Sequence, residues 1–358
     1  MDVLKKIIRI LMLALGCSQL SGCLFTYLVD SGYNQIKLIN SGKSIEEVLK
    51  DETISPDLRK KLELTLEVRK FIVDNLKLKS TKNYQNYVDL KRPHVTYIVT
   101  VAHKNKLEPK LFWYPFVGSL PYKGYFKKEQ AEREARSFDS KKYDVMVRGV
   151  SAYSTLGWFN DPLLSSMLSG DDHHLVNTLI HESTHATLFI KSNADFNERL
   201  ATYVGNIGTE IFYLSKEGDG SPTVKKIKDD SHDEKIFSEF ITNEIKALRD
   251  WYKTLPEDWE SQREKKFAEI QNKFLLEVQP KLKTDNYNKF ASSKLNNAIL
   301  LYFDTYLADL NAFDELFVYF KKDFSRFITF CKSLEKSRDP IQSVKSQISL
   351  PDSSEPNP

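Results

Sequence analysis

Cysteine is scarce in this 358-residue chain, which contains only Cys17, Cys23 and Cys331. Two of the three lie close to the N-terminus, in a segment with the features of a targeting signal. If Cys23 carries lipid after processing, Cys331 remains alone and no intrachain disulfide can form. The mature chain must then be stabilised by its core, for which 41% hydrophobic and 12% aromatic residues are ample.

A large excess of charge of one sign is also missing. The formal net charge is only +3 at neutral pH, and the lysine pairs are scattered among glutamates and aspartates. That mixture is typical of solvated helix faces, and it does not predict a nucleic-acid partner. Long apolar runs are absent as well: residues 10–16 form a stretch that is shorter and more interrupted than a typical membrane-spanning helix. We find no internal repeat.

The first 23 residues predict export and membrane attachment. Lys5, Lys6 and Arg9 precede the apolar residues 10–16, and Leu20-Ser21-Gly22-Cys23 follows, a pattern that resembles a bacterial lipoprotein signal with its lipobox. We expect residues 1–22 to be the signal peptide and Cys23 to carry the lipid. The protein would then be a lipoprotein of the cell envelope, on the periplasmic or surface side of the outer membrane.

Other readings of this N-terminal segment stay open. An ordinary signal peptide cut nearby, or an uncleaved anchor, would also fit the pattern. Cys17 is the weaker lipidation site, because Ala14 stands three positions before it where leucine is usual.

The rest of the chain predicts an α+β fold that is mostly α-helical, with a small mixed β-sheet and a helical C-terminal half. β-Branched and aromatic residues predict strands at 95–101 and 143–150, whereas spacing and capping signals predict helices elsewhere. Helices are expected over 44–79, where Ser44 and Ser55 are candidate caps, and over 127–140, 236–280 and 290–335. Residues 215–235 are expected to form a flexible loop, 23–336 one domain, and 337–358 a disordered tail.

The run His181-Glu182-Ser183-Thr184-His185 is the strongest functional signal. Apolar residues flank it, so we expect a helix, on which residues four apart share a face. His181 and His185 can then chelate one Zn²⁺, with Glu182 beside the open coordination position as general base towards the attacking water. The alternative is an ordinary half-buried helix. That reading leaves buried polar groups in need of partners, at roughly 1–3 kcal/mol for each unpaired group.

A catalytic zinc usually has a third protein ligand. Glu198 is the leading candidate, because thirteen residues after His185 leave room for a turn and a second helix that crosses the metal. Asp195 is the second candidate, although a helix cap explains it better. No third histidine stands at the metzincin spacing, which argues against that subclass. Glu198 could also be an ordinary surface carboxylate.

With these features placed, residues 20–330 resemble the bacterial family of predicted aminopeptidases, zincin-type lipoproteins with an H-E-x-x-H helix. The segments that carry the resemblance are Leu20-Ser21-Gly22-Cys23, Gly124-Tyr125-Phe126, Ala152-Tyr153-Ser154-Thr155-Leu156-Gly157-Trp158-Phe159, Asp161-Pro162-Leu163-Leu164, His181 to His185, Phe196-Asn197-Glu198, Leu295-Asn296-Asn297-Ala298 and Thr305-Tyr306. Ser183-Thr184 replaces the Leu-Ala expected in the family, at two positions that are not ligands. The resemblance implies a zincin-like fold and peptidase activity on a peptide substrate.

Two functional hypotheses follow. The first is a lipid-anchored zinc metallopeptidase, in which a tyrosine hydroxyl stabilises the oxyanion. Tyr306, with Asn297 earlier on the same helix, is the first candidate for this role, and Tyr153 is the second. The 143–150 strand would offer an edge for an extended peptide. The second is a non-enzymatic surface lipoprotein that binds a partner through aromatic segments, with a structural metal. The mature chain lacks the cysteines that structural zinc sites favour.

Overall fold

The computed structural model describes residues 22–79, 81–115 and 117–349, with side chains from Thr26 onward. Residues 1–21 of the predicted signal peptide, including Cys17, and residues 350–358 of the predicted tail lie outside this part of the chain. Cys23 lies in the first turn of the first described helix, and its side chain is not among those described.

The described part is α+β and mostly helical, as the sequence predicts. The strands are β1 (Lys43–Ser44), β2 (Asn86–Val88), β3 (Thr96–His103), β4 (Phe112–Tyr114), β5 (Gly118–Leu120), β6 (Tyr122–Tyr125), β7 (Tyr143–Val150) and β8 (Leu163–Leu164). The helices of the first half are α1 (Gly22–Asn40), α2 (Ile45–Leu49), α3 (Pro56–Asp74), α4 (Lys128–Arg136), α5 (Asp172–Thr187) and α6 (Ala194–Glu217). Those of the second half are α7 (Pro222–Lys253), α8 (Trp259–Lys273), α9 (Asn288–Ser292), α10 (Asn297–Leu307), α11 (Leu310–Tyr319), α12 (Phe324–Ser333) and α13 (Pro340–Ile348).

The strands form three small sheets instead of one. β3 lies between β6 and β7, antiparallel to both, so the predicted strands at 95–101 and 143–150 are neighbours. β2 lies between β1 and β8 in the one mixed sheet of the described residues, and β4 pairs with β5. None of the described helices is both long and apolar enough to cross a bilayer.

The two faces of the β6-β3-β7 sheet have different neighbours. Val99 and Val101 are buried on one face, where they pack with Ala131 of α4. The register places Ile98 opposite both Gly124 and Arg148, on the other face. Because successive side chains of a strand alternate between faces, this second face is free to line a site.

Capping explains where two long helices begin. The Ser55 hydroxyl accepts a hydrogen bond of 3.2 Å from the Leu58 N–H, and Pro56 occupies the first turn of α3. Ser221 repeats this arrangement at the start of α7, with a bond of 3.0 Å from the Val224 N–H. A proline in the first turn removes no helical hydrogen bond, so the Ser-Pro pair is a strong start signal.

Several predicted boundaries in the second half are wrong. The predicted loop at 215–235 is mostly helical, since α6 ends at Glu217 and α7 begins at Pro222. The predicted helices at 236–280 and 290–335 are divided into shorter ones. Part of the segment assigned to the tail, Pro340–Ile348, is also helical, and its Val344 is fully buried.

Candidate metal centre

His181, His185 and Glu198 converge on one point. The two Nε2 atoms lie 3.2 Å apart, and each lies 3.4 Å from Oε2 of Glu198. Ligand bonds of about 2.0–2.2 Å at tetrahedral angles would separate neighbouring ligand atoms by roughly 3.3–3.6 Å. The two separations of 3.4 Å fall in this range and the one of 3.2 Å lies just below it, so the spacing of the three donors is close to that around a tetrahedral zinc ion. Two imidazoles with one carboxylate are a donor set that zinc uses.

A helix, a turn and a second helix bring these donors together. His181 and His185 are one turn apart on α5, and Glu198 lies in the second turn of α6. The intervening turn is fixed by Asn197, whose Oδ1 accepts from the Ile190 N–H and whose Nδ2 donates to the Ile190 carbonyl, both at 2.8 Å. The position of Glu198 therefore depends on the hydrogen bonds of the preceding residue, Asn197.

Glycines allow α5 and α6 to lie close together. A Cβ atom on Gly208 would lie 3.1 Å from Cδ1 of Ile180 and 2.9 Å from Cδ1 of Leu76, and one on Gly205 would lie 3.3 Å from Oδ1 of Asn177. Larger side chains here would separate the helix that carries the histidines from the helix that carries Glu198.

Electrostatics favour an ionised Glu198. Burial raises the pKa of this carboxyl, but His185 and His181 outweigh burial and hold its pKa well below the usual range. Burial lowers the pKa of His185, but the charge and hydrogen bond of Glu198 more than offset this, so its pKa is raised. The hydroxyl of Tyr122 donates to Oε1 of Glu198 at 3.4 Å, which leaves Oε2 directed at the imidazoles.

Glu182 lies beside this group without belonging to it. Its side chain is buried, and it lines the same cleft as the two histidines. Burial raises its pKa, and Glu198 adds to this, while the two imidazoles act in the opposite direction. A carboxylate with a raised pKa next to a metal position is suited to accept and return a proton.

The cleft in front of these residues has a volume of about 780 Å³. One wall is α5, and a second is the face of the β6-β3-β7 sheet, through Ile98, Tyr122 and Arg148. The third wall is α1, and the loop at 151–159 completes the mouth. Among the described residues β7 is an edge strand of its sheet, as expected. The cleft, however, is lined by side chains that project from the face of the sheet, such as that of Arg148.

The two predicted tyrosines both reach the cleft, with different partners. Tyr306 lines it, and its hydroxyl oxygen accepts from Nη2 of Arg148 at 3.0 Å. Tyr153 also lines it, but its hydroxyl donates to Oε1 of Gln35 on α1. Of the two, Tyr306 is the one whose pKa is raised by the charge of Glu198 in addition to burial.

Asp195 and Asn297 have structural positions. Asp195 Oδ1 accepts from the Thr305 hydroxyl at 2.8 Å and is not part of the convergent group. Asn297 is fully buried, with its amide donating to the His103 carbonyl at 2.8 Å and its oxygen accepting from Tyr252 at 3.0 Å. It fixes the start of α10, which carries Tyr306.

Sequence reasoning missed Arg148 and Tyr122. Arg148 is a single cation in a strand of mostly apolar residues, which is a signal that could have been noticed. Its guanidinium lies 4.7 Å from the ring centroid of Tyr302 and 5.5 Å from that of Tyr306. Its Nε is buried without a hydrogen-bond partner among the described residues. Tyr122 has no comparable local signal.

The fold and the site define an α+β protein with an H-E-x-x-H helix, a glutamate on the following helix and a cleft in front of them. Residues 26–344 match the model of the family described as "Putative aminopeptidase", and the chain belongs to that family. The resemblance noted in the sequence is thereby confirmed at the level of the family. No curated protein and no solved structure matches the chain.

Proposed function

We propose that this protein is a zinc metallopeptidase of the zincin type that acts as an aminopeptidase and is anchored in the cell envelope by lipid on Cys23. The observation that carries the proposal is the convergence of His181, His185 and Glu198 at 3.2–3.4 Å on the wall of a cleft, with Glu182 beside them. Within the described residues this group has three members, which favours a catalytic over a structural zinc.

Each residue has a distinct part in the proposed hydrolysis. His181, His185 and Glu198 would hold a Zn²⁺, which would supply the Lewis acidity that activates water and polarises the scissile carbonyl. Glu182 accepts the proton of the attacking water and then gives it to the leaving amine. The tetrahedral oxyanion that forms accepts a hydrogen bond from Tyr306.

Arg148 supports that oxyanion site through its hydrogen bond to Tyr306. Because it donates to the oxygen of Tyr306, the tyrosine proton is free to point into the cleft. Burial raises the pKa of Tyr306 well above its usual value, so the hydroxyl keeps this proton. The positive charge of Arg148 also stabilises the negative charge that develops in the cleft.

A peptide-library digest tests the activity. Purified, zinc-loaded protein is incubated with the library and the products are read by mass spectrometry, with the Glu182→Gln variant as the inactive control. We expect stepwise loss of single N-terminal residues and no attack on N-acetylated copies of the same peptides. Internal cuts would replace the aminopeptidase assignment by an endopeptidase one. If the zinc-loaded protein cleaves nothing, the partner-binding alternative becomes the better account.

Lipidation is tested separately. Cys23→Ala should abolish incorporation of labelled fatty acid and release the protein from the membrane fraction, whereas Cys17→Ala should leave both unchanged. Equal labelling of the Cys23→Ala variant and the natural protein would place the lipid elsewhere.

A further inference from the structure

Helix α1 carries an apolar stripe that is more than half exposed. Val29, Tyr33 and Ile36 are 55%, 66% and 55% exposed. At about 100° per residue their spacing keeps all three within roughly 60° of one another on the helix surface. Gln35 and Leu38 are buried on the opposite side. The helix is therefore held by one face and offers an apolar one to its surroundings.

The stripe borders the mouth of the proposed active-site cleft. Leu28, Gly32 and Ile36 of α1 line that cleft. Across the mouth, the loop at 151–159 contributes Phe159, which lines the cleft and is 46% exposed, and its neighbour Trp158, which is 64% exposed. The hydrogen bond from Tyr153 to Gln35 ties this loop to α1.

The sequence before α1 points to a membrane as the occupant of the stripe. The helix begins at Gly22, directly after a segment with Lys5, Lys6 and Arg9 followed by apolar residues 10–16. In the proposed function, lipid on Cys23 replaces that segment and attaches the start of α1 to a membrane. Val29 lies six residues from Cys23, which corresponds to about 9 Å along a helix.

We propose that the stripe Val29–Tyr33–Ile36, together with Trp158 and Phe159, docks on the lipid bilayer and turns the cleft mouth towards the membrane surface. Tyrosine and tryptophan are the side chains that favour the boundary between lipid and water, and a helix with one apolar face lies along that boundary. This inference rests on the proposed peptidase function and its membrane attachment. It identifies the substrate class as peptides presented at the bilayer surface.

The first experiment measures contact of Trp158 with lipid. The full-length protein is reconstituted in vesicles of phosphatidylethanolamine and phosphatidylglycerol with or without brominated acyl chains, and tryptophan fluorescence is recorded. We expect brominated lipid to quench the fluorescence. The Trp158→Phe variant should lose at least half of this quenching, and the matched Trp259→Phe variant should keep it. Absence of quenching, or equal quenching in Trp158→Phe and the natural protein, overturns the docking.

The second experiment removes two of the three stripe residues and leaves Ile36, which lines the cleft, unchanged. The double variant Val29→Ser/Tyr33→Ser is compared with Leu276→Ser/Val318→Ser, which alters two exposed apolar residues of the C-terminal half. We expect only the first pair to lower the quenching, and to slow cleavage of a lipid-tethered peptide at least threefold while a soluble peptide is cleaved as before. Equal effects of the two pairs would overturn the inference.

Failure of the docking can be told from failure of the proposed function. Cleavage of the soluble peptide reports the peptidase, and flotation with vesicles reports the attachment. A protein that floats and cleaves, but shows no quenching, is an anchored peptidase whose stripe serves another partner. A protein that does not float contradicts both the anchor and the docking.

Discussion

Arg148 donates a hydrogen bond of 3.0 Å from Nη2 to the hydroxyl oxygen of Tyr306. The two residues come from β7 and α10, and each lines the cleft in front of the histidines. The bond occupies a lone pair of the tyrosine oxygen and leaves its proton available for a second partner. In the proposed mechanism that partner is the oxyanion of the hydrolysed bond.

Loss of the Tyr306 hydroxyl should therefore slow catalysis. We expect Tyr306→Phe to lower kcat about 100-fold, the usual scale for one oxyanion donor, with zinc content and fold unchanged. Tyr153→Phe is the matched control, because its hydroxyl is directed to Gln35, and it should lose far less activity. Steady-state kinetics on a soluble peptide checks this, and a larger loss in Tyr153→Phe would exchange the two roles.

The metal ligands can be tested by composition. Purified protein should contain about one zinc per chain, and His181→Ala, His185→Ala and Glu198→Ala should each lose most of it, because each removes one of three donors. His232→Ala changes a partly exposed histidine of α7 that lies outside the convergent group, and it should keep the metal. Elemental analysis after gel filtration is the measurement. Full zinc in Glu198→Ala would show that the third ligand lies elsewhere.

Asn197 should contribute to both stability and metal affinity. Asn197→Ala leaves the buried N–H of Ile190 without its partner and removes one of the two hydrogen bonds to the Ile190 carbonyl, which keeps the bond from the Asn193 N–H, at a cost of about 1–3 kcal/mol. The displaced turn should also weaken zinc binding by roughly 10–100-fold. Asn193→Ala is the control, since the Asn193 side chain makes no capping bond. Urea unfolding and competition with a chelator measure the two effects, and no difference between the variants would refute the clamp.

Glu234 should make the folded state sensitive to pH. Burial and the nearby Asp230 raise its pKa from 4.5 to about 7 in the folded chain. Because the folded pKa is the higher one, the protonated form is stabilised by folding. The contribution of Glu234 to the free energy of unfolding is complete below about pH 4.5 and is lost as the pH rises through 7.

The glutamine variant isolates this contribution. Glu234→Gln cannot ionise, so its stability relative to the natural protein should improve by on the order of 2 kcal/mol between pH 4.5 and pH 8. Chemical unfolding at several pH values gives the difference, and parallel curves for the two proteins would show that Glu234 does not titrate in this range.

The sequence predicted the parts of the site that depend on local geometry. His181 and His185 share a face because of the helical period, and Glu198 follows after one turn, so few conformations of the intervening chain need be considered. The strand at 143–150 was predictable from its composition. These features need only residues that are close along the chain.

The parts that were missed depend on contacts between distant segments. Arg148 reaches Tyr306 because β7 pairs with β3 in one register, and a shift of one residue would place Arg148 on the opposite face.

Ser44 was expected to cap a helix with its side chain and does not. In contrast, Ser221-Pro222 carried the same start signal as Ser55-Pro56, and the polar loop composition around it concealed that signal.

Glu182 provides the test that separates chemistry from architecture. It lies outside the convergent group of donors, and its proposed role is to accept and return a proton. Glu182→Gln keeps the size of the side chain and removes the base. We expect the variant to fold, to bind about one zinc per chain and to lose at least about 100-fold in kcat. Zinc analysis, circular dichroism and kinetics on the same preparation check the three statements together. A variant that keeps full activity with zinc bound would require another base, and one that loses zinc would make Glu182 part of the metal site.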